Sequence, residues 1–211
     1  MGRRGLFVSF EGIDGSGKST QARSLADRLR AAGHDVVLTR EPGGSAGAEE
    51  IRRLVLTGAP DRWSAETEIL LFTAARRDHV ERTIRPALDR GAIVVCDRFA
   101  DSTRVYQGTT RGDLRAMVDA LHALMIGEEP DLTLLVDIDP ALGLARAEAR
   151  AGAELRFEAM GLATQARMRA AFLALAEAHP ARFRVIDGAG DPARVGAAVD
   201  AALAPHLAAM R

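Results

Sequence analysis

Short runs of apolar and β-branched residues recur at positions 6–10, 35–39, 93–96, 132–138 and 183–186. They are continuous rather than alternating. Strands covered on both faces read this way, so the pattern predicts a parallel sheet. Between them lie longer amphipathic stretches that predict helices over 19–32, 48–56, 64–90, 114–125, 140–150, 165–178 and 193–210. Stop signals support the ends: Gly33, Gly91 and Gly127 follow three of them, and Pro180 follows a fourth. Asp139 is placed to cap the helix that opens with Pro140. Pro86 predicts a kink in the long 64–90 helix, and Pro205 a bend in the last one. Alternating strands and helices point to a doubly wound α/β fold. No linker divides the chain, which reads as one domain, 1–211. The stretch 151–163, with Ala-Gly-Ala and then Met-Gly-Leu-Ala, reads as a mobile segment or a plain surface loop.

Composition narrows the function. The chain has 211 residues, with 28 Lys and Arg against 29 Asp and Glu, a net charge of −1. That length suits one domain with a proper core. The charge balance argues against a dedicated nucleic-acid partner, which calls for a basic excess. Cys96 is the one cysteine, so no internal disulfide forms and a reducing compartment is expected. No apolar run approaches the roughly 20 residues of a membrane helix. The opening Met1-Gly2-Arg3-Arg4 imitates a signal peptide, but the apolar run after it is short and enters a glycine loop. Leu6 stands where a myristoylation signal carries Ser or Thr. The expectation is a cytoplasmic protein with no membrane partner. Lysine occurs once, as Lys18; every other cationic side chain apart from the histidines is arginine.

That lysine sits in Gly12-Ile13-Asp14-Gly15-Ser16-Gly17-Lys18-Ser19-Thr20. The segment satisfies G-x4-G-K-[ST] between a predicted strand and a predicted helix, where a phosphate loop belongs. Its glycines let backbone N–H groups surround a phosphate, and the following helix adds its positive end. Lys18 would reach the β- and γ-phosphates, and Ser19 is a candidate magnesium ligand. A compact ammonium suits this cradle better than a planar guanidinium, which explains the retained lysine. GTPases, ATPases and small-molecule kinases share such a loop. The N-K-x-D element of a typical GTPase needs a second lysine, and there is none.

Further motifs narrow the choice. Residues 95–107 contain Asp97-Arg98-Phe99, Ser102-Thr103 and Tyr106-Gln107 after an apolar strand, fitting D-R-[aromatic]-x-x-S-x-x-x-[YF]-Q. Phe10-Glu11 precedes the phosphate loop, and Thr39-Arg40-Glu41-Pro42-Gly43-Gly44 follows the second predicted strand. Leu70-Leu71-Phe72-Thr73-Ala74-Ala75-Arg76 lies on the long helix, and Pro130-Asp131-Leu132-Thr133 opens the fourth strand. In order and spacing these segments resemble the bacterial thymidylate (dTMP) kinase family across residues 5–175. The resemblance implies the nucleoside monophosphate kinase fold, a five-stranded parallel sheet with a lid. It also implies an ATP:dTMP phosphotransferase that makes dTDP with ATP and Mg²⁺ in dTTP synthesis, working as a homodimer with 64–90 as a candidate interface helix.

By the same resemblance, Arg76 and Arg98 grip the dTMP phosphate and Phe72 stacks on thymine. Thr103 and Gln107 bond the base edge, and Tyr106 disfavours a ribose hydroxyl. Ser102, Arg40, Glu41 and Pro42 line the pocket. Asp14 contacts the sugar 3′-hydroxyl and the metal shell, and Asp97 orders a magnesium-bound water. Transfer between two anions rests on positioning and charge neutralisation. Lys18, Arg98 and Asp14 are therefore joined as catalytic candidates by an arginine of the lid, about residues 146–163. Arg150 is the first choice and Arg156 the second; Arg146 shares a helix face with Arg150. Glu148 departs from the family, where another arginine is common. His34, His79, His122, His179 and His206 show no ligand spacing and receive no chemistry. Two rivals remain: a P-loop kinase for another deoxynucleotide or a nucleoside, and a non-catalytic ATP-binding switch.

Overall fold

The computed structural model describes residues 4–59, 62–109, 112–149 and 161–210. Strands β1 (Phe7–Glu11), β2 (Val36–Arg40), β3 (Ile93–Asp97), β4 (Leu132–Asp137) and β5 (Phe183–Asp187) form one sheet in the order β2-β3-β1-β4-β5. Every pairing is parallel; Val8 stands opposite Val95 on one side and Leu132 on the other. The central strands β1, β3 and β4 are buried almost throughout, as their continuous apolar runs require, whereas the edge strands β2 and β5 are partly open to solvent.

The helices are α1 (Lys18–Ala31), α2 (Ala46–Leu56), α3 (Ala65–His79), α4 (Arg85–Asp89), α5 (Ala100–Tyr106), α6 (Arg115–Met125), α7 (Pro140–Ala149), α8 (Leu162–Ala178) and α9 (Pro192–Met210). Side chains alternate faces along each strand. Val8 and Phe10 of β1 meet Leu25 and Leu29 of α1 and Val195, Val199 and Leu203 of α9 on one face. Phe7, Val94 and Cys96 meet Ile84, Leu88 and Phe99 on the other. Leu135 and Phe183 anchor a third cluster with Met168, Phe172 and Leu175 of α8. Asp139 caps α7 as expected, accepting from Ala141 and Leu142 N–H at 2.9 and 3.3 Å.

Two elements differ from the expectation. The long 64–90 helix departs from regularity before Pro86, through a π turn at Val80–Ile84 in which Arg85 N–H donates to Val80 O. Proline has no N–H for the carbonyl four residues back and its ring crowds that turn, so the helix widens upstream of it. Residues 100–106 form α5, a helix that the chain's apolar pattern does not announce. All five strands end on a charged residue at the carboxyl edge: Glu11, Arg40, Asp97, Asp137 and Asp187. Ligands of open parallel sheets bind at that edge.

Candidate active site

The phosphate loop joins β1 to α1. Gly15 has φ 76°, and a Cβ there would lie 1.9 Å from Gly143 O, so only glycine lets the loop nest on α7. Gly17 caps α1 in the left-handed region, with φ 94°. Lys18 folds back across the loop: Nζ donates to Ile13 O at 3.2 Å and lies 3.6 Å from Asp14 Oδ1. The Ile13 side chain is buried in the core, so its part in the loop is played by backbone, and Thr20 points outward as an exposed residue.

Arg98 is held over this loop with φ 71°, in the left-handed region that is unusual outside glycine. Its guanidinium donates to Asp14 Oδ1 at 2.6 Å, Ser102 Oγ and Tyr106 OH at 3.0 Å, and Gly12 O at 3.3 Å. Tyr106 OH donates in turn to Asp14 Oδ2 at 3.1 Å. Burial works against the charged form of Asp14, but Arg98 and Lys18 together outweigh it and hold the carboxyl below the usual range. Burial and the Arg98 charge push the Lys18 ammonium downward, against the pull of Asp14.

A cleft of about 350 Å³ runs from this loop to a second wall, where Phe72, Arg76, Thr103 and Gln107 face it. Phe72 and Arg76 sit one helical turn apart on α3. Arg76 Nε donates to Glu41 Oε2 at 2.7 Å and Nη2 to Thr103 Oγ1 at 2.9 Å. Gln107 donates to Glu68 at 3.1 Å. Burial opposes the charge of Glu41, yet Arg76 and His79 hold its carboxyl below the usual range. The hydrogen bonds of Arg76 and Arg98 thus go to different partners. Arg40 is exposed and reaches Glu49 at 3.3 Å, while Pro42 and Glu41 line the cleft beside it.

Several residues in and behind the cleft take no role from the motifs or periods of the sequence. Phe99 lies inside the D-R-F pattern, and the Arg76 guanidinium sits 5.2 Å over its ring. Arg23, Arg52 and Leu56 also line the cleft, and neither period nor motif marks them. Glu11 reaches from β1 to the start of α5, accepting Phe99 N–H at 2.8 Å, Ser102 N–H at 3.3 Å and the Ser102 hydroxyl at 2.6 Å. His79 contacts Glu41 and Thr39; its one visible signal was its position three residues after Arg76, on the same helix face.

Of the lid residues, Arg150 and Arg156 lie outside the described residues. Arg146 is committed elsewhere, donating to Gly188 O at 3.0 Å and Ala189 O at 3.4 Å beyond β5. Two buried oxygens of the cradle, Ser16 Oγ and Asp97 Oδ1, have no hydrogen-bond partner among the described residues. Buried polar atoms are seldom left this way, and Asp97 lines the cleft beside the phosphate loop. No helix among the described residues is long and apolar enough to cross a membrane.

A parallel sheet in this order, a lysine-bearing phosphate loop after β1 and a polar cleft opposite it define a P-loop kinase of the nucleoside monophosphate type. Comparison with known proteins narrows the class. The family model described as thymidylate kinase matches residues 10–198. The thymidylate kinase of Ruegeria pomeroyi is 70% identical over 207 residues, spanning 98% of each chain. That of Dinoroseobacter shibae is 64% identical over 96% of this chain and 98% of its own. The crystal structure of thymidylate kinase from Ehrlichia chaffeensis superposes with a TM-score of 0.76 at 35% identity, covering 95% of this chain and 99% of that one. The chain belongs to the thymidylate kinase family.

Proposed function

We propose that the cleft brings ATP and dTMP end to end, with Lys18 on the donor side, Arg98 at the junction and the Phe72–Arg76 wall around the acceptor. As a member of its family the chain phosphorylates dTMP to dTDP, with ATP as the donor. The observation that carries the reading is the placement of Lys18 and Arg98 against one carboxylate, Asp14, at the mouth of the phosphate loop. Loop backbone and Lys18 would hold the β- and γ-phosphates. Arg98 would bind the acceptor phosphate and follow the transferring group as charge spreads over it. Asp14 would orient both cations and meet the sugar hydroxyl, with Tyr106 closing that side against a ribose. Phe72 would stack on the base, and Thr103, Gln107 and Arg76 would meet its edge. Arg76 is thereby assigned to the wall more than to the phosphate, because its hydrogen bonds run to Glu41 and Thr103.

Mg²⁺ fits the donor side. The Ser19 hydroxyl would bind it, and Asp97, with its unpartnered Oδ1, would orient a water of its shell. When bound, it would offset phosphate charge. The catalytic arginine of the lid is assigned to Arg150, with Arg156 as the alternative. Working as one domain, the chain is further proposed to be cytoplasmic and homodimeric. Leu54 of α2, Leu70 of α3, and Met117 and Leu124 of α6 are exposed on helices packed side by side, which supports a dimer face; light scattering tests it.

The decisive experiment measures ADP release with dTMP, with thymidine and with no acceptor. Release that depends on dTMP is expected. Turnover with thymidine alone would make this a nucleoside kinase, and slow hydrolysis indifferent to dTMP would make it an ATP-binding switch.

A further inference from the structure

Behind the acceptor wall lies a chain of hydrogen bonds that the transfer step itself does not use. Thr39 Oγ1 of β2 and His79 Nε2 of α3 are 2.7 Å apart, and His79 Nδ1 lies 3.0 Å from Glu41 Oε1. The other oxygen of Glu41 receives Arg76 Nε, and Arg76 continues to Thr103 of α5. Three separate elements of the cleft are tied in sequence. His79 is fully buried, and the Arg76 and Glu41 side chains are only 4% and 5% exposed, so water cannot substitute for a missing link.

The chemistry gives the chain a direction. An ionised carboxylate only accepts, so His79 Nδ1 carries its hydrogen toward Glu41, while Nε2 meets the Thr39 hydroxyl on the other side of the ring. With one oxygen saturated by His79, Glu41 presents the other to Arg76 in a single orientation. The local backbone is shaped around this contact. Gly44 has φ 86°, and a Cβ there would lie 2.3 Å from both His79 Nε2 and Thr39 Oγ1. The loop that carries Glu41 is closed over His79, with Thr83 Oγ1 donating to Gly44 O at 2.7 Å.

We propose that His79 is a positioning residue for acceptor recognition, acting through Glu41 to fix where the Arg76 guanidinium stands in the cleft. It touches no substrate. It sets the acceptor wall and leaves the donor side alone, because Lys18 and Arg98 bond to Gly12, Ile13, Asp14, Ser102 and Tyr106, none of which the His79–Glu41–Arg76 chain touches. The inference rests on the reading that the Phe72–Arg76 wall receives dTMP.

The test uses the full-length enzyme and three variants, His79→Leu, His79→Asn and Thr39→Val, with steady-state kinetics for each substrate and a thermal melt for each protein. Leucine removes both ring contacts. Asparagine restores an N–H near the Nδ1 position, and valine removes only the far link. The expected result is a KM for dTMP raised about tenfold in His79→Leu and about threefold in Thr39→Val. KM for ATP should stay within twofold of wild type and kcat should fall less than KM rises. His79→Asn should recover most of the dTMP KM. Should His79→Leu fail to fold, Thr39→Val carries the loss of dTMP affinity, and His79→Asn still shows whether the Nδ1 contact alone suffices. An unchanged dTMP KM in Thr39→Val, or in a folded His79→Leu, overturns the proposal, as does equal weakening toward both substrates. Failure of the wild type to use dTMP would overturn the reading of the wall as well; normal wild-type turnover with unmoved variants overturns this inference alone.

Discussion

Arg98 and Arg76 line one cleft and both bond to α5, at Ser102 and Thr103, yet their surroundings differ sharply. At the phosphate loop two cations, Lys18 and Arg98, lean on a single carboxylate, Asp14. On the far wall one cation, Arg76, is matched by one carboxylate, Glu41, at 2.7 Å. The Arg98 side chain keeps 19% of its surface exposed against 4% for Arg76. A guanidinium shared among a carboxylate, two hydroxyls and a carbonyl can turn toward new negative charge. One committed to a buried carboxylate keeps its position and offers direction more than charge. On the proposed roles, positioning and neutralisation, the two tasks of phosphoryl transfer, are divided between these two arginines.

The largest effect should come from the donor side. Lys18→Ala removes the ammonium that crosses the loop, and kcat should fall by about a thousandfold or more, while the melt stays cooperative because the loop is backbone-built. Retained turnover would remove Lys18 from the mechanism. Arg98→Ala should lower kcat by about a hundredfold to a thousandfold, with a smaller rise in dTMP KM. For the lid, Arg150→Ala should lower kcat by about a hundredfold with dTMP binding nearly unchanged; an unmoved kcat shifts the assignment to Arg156.

Arg76→Ala sharpens the contrast. It strands Glu41, buried beside His79, and a broken buried pair costs about 3–5 kcal/mol. Urea denaturation should therefore show a large loss of stability for Arg76→Ala and a small one for Arg98→Ala, where Asp14 keeps Lys18 nearby. Equal losses in the two variants would erase the distinction drawn between the walls.

The same contrast explains what the sequence could disclose. The donor side is local: strand, glycine loop, lysine and helix follow one another in the chain, so G-x4-G-K-[ST] announces it whole. Central strands were legible because burial on both faces forbids alternation. The acceptor wall is assembled from α3, α5 and the loop after β2. Phe72 and Arg76 were found because they share a helix and a motif. His79 was passed over because a lone histidine on a helix has no pattern, and its partners Thr39 and Glu41 are about 40 positions away. Helix α5 escaped for a related reason. Phe99 stands at its cap position without a capping side chain, and the acceptor for its first N–H groups is Glu11, 88 residues upstream in Phe99's case. A cap supplied across the sheet leaves no local trace. Pro86 marks the distortion only approximately, because the backbone widens at Val80–Ile84, in the turn before the proline.

Glu11 carries the smallest and most specific of these effects. Fully buried at the end of β1, it accepts two N–H groups and a hydroxyl. Burial, helped by the Asp101 charge, pushes its pKa up to about 7 from an ordinary 4.5, against the opposing pull of Ser102, Arg98 and the Phe99 N–H. The folded protein therefore holds a proton that the unfolded chain has already released. Between those two values the native state binds more protons, so Glu11 makes stability fall as pH rises, by at most about 1.4 kcal/mol per pH unit, and the fall is complete above the folded pKa. Glu11→Gln keeps a carbonyl for the α5 N–H groups and stays neutral at every pH. The variant should thus gain on the wild type as pH rises from about 5 to about 8, read as a growing difference in urea midpoint, while groups common to both proteins cancel. A difference that stays constant across that range would mean that the Glu11 carboxyl ionises like an ordinary one. The start of α5, on which Arg98 and Ser102 depend, would then be tied to a carboxylate that is already charged throughout the working range.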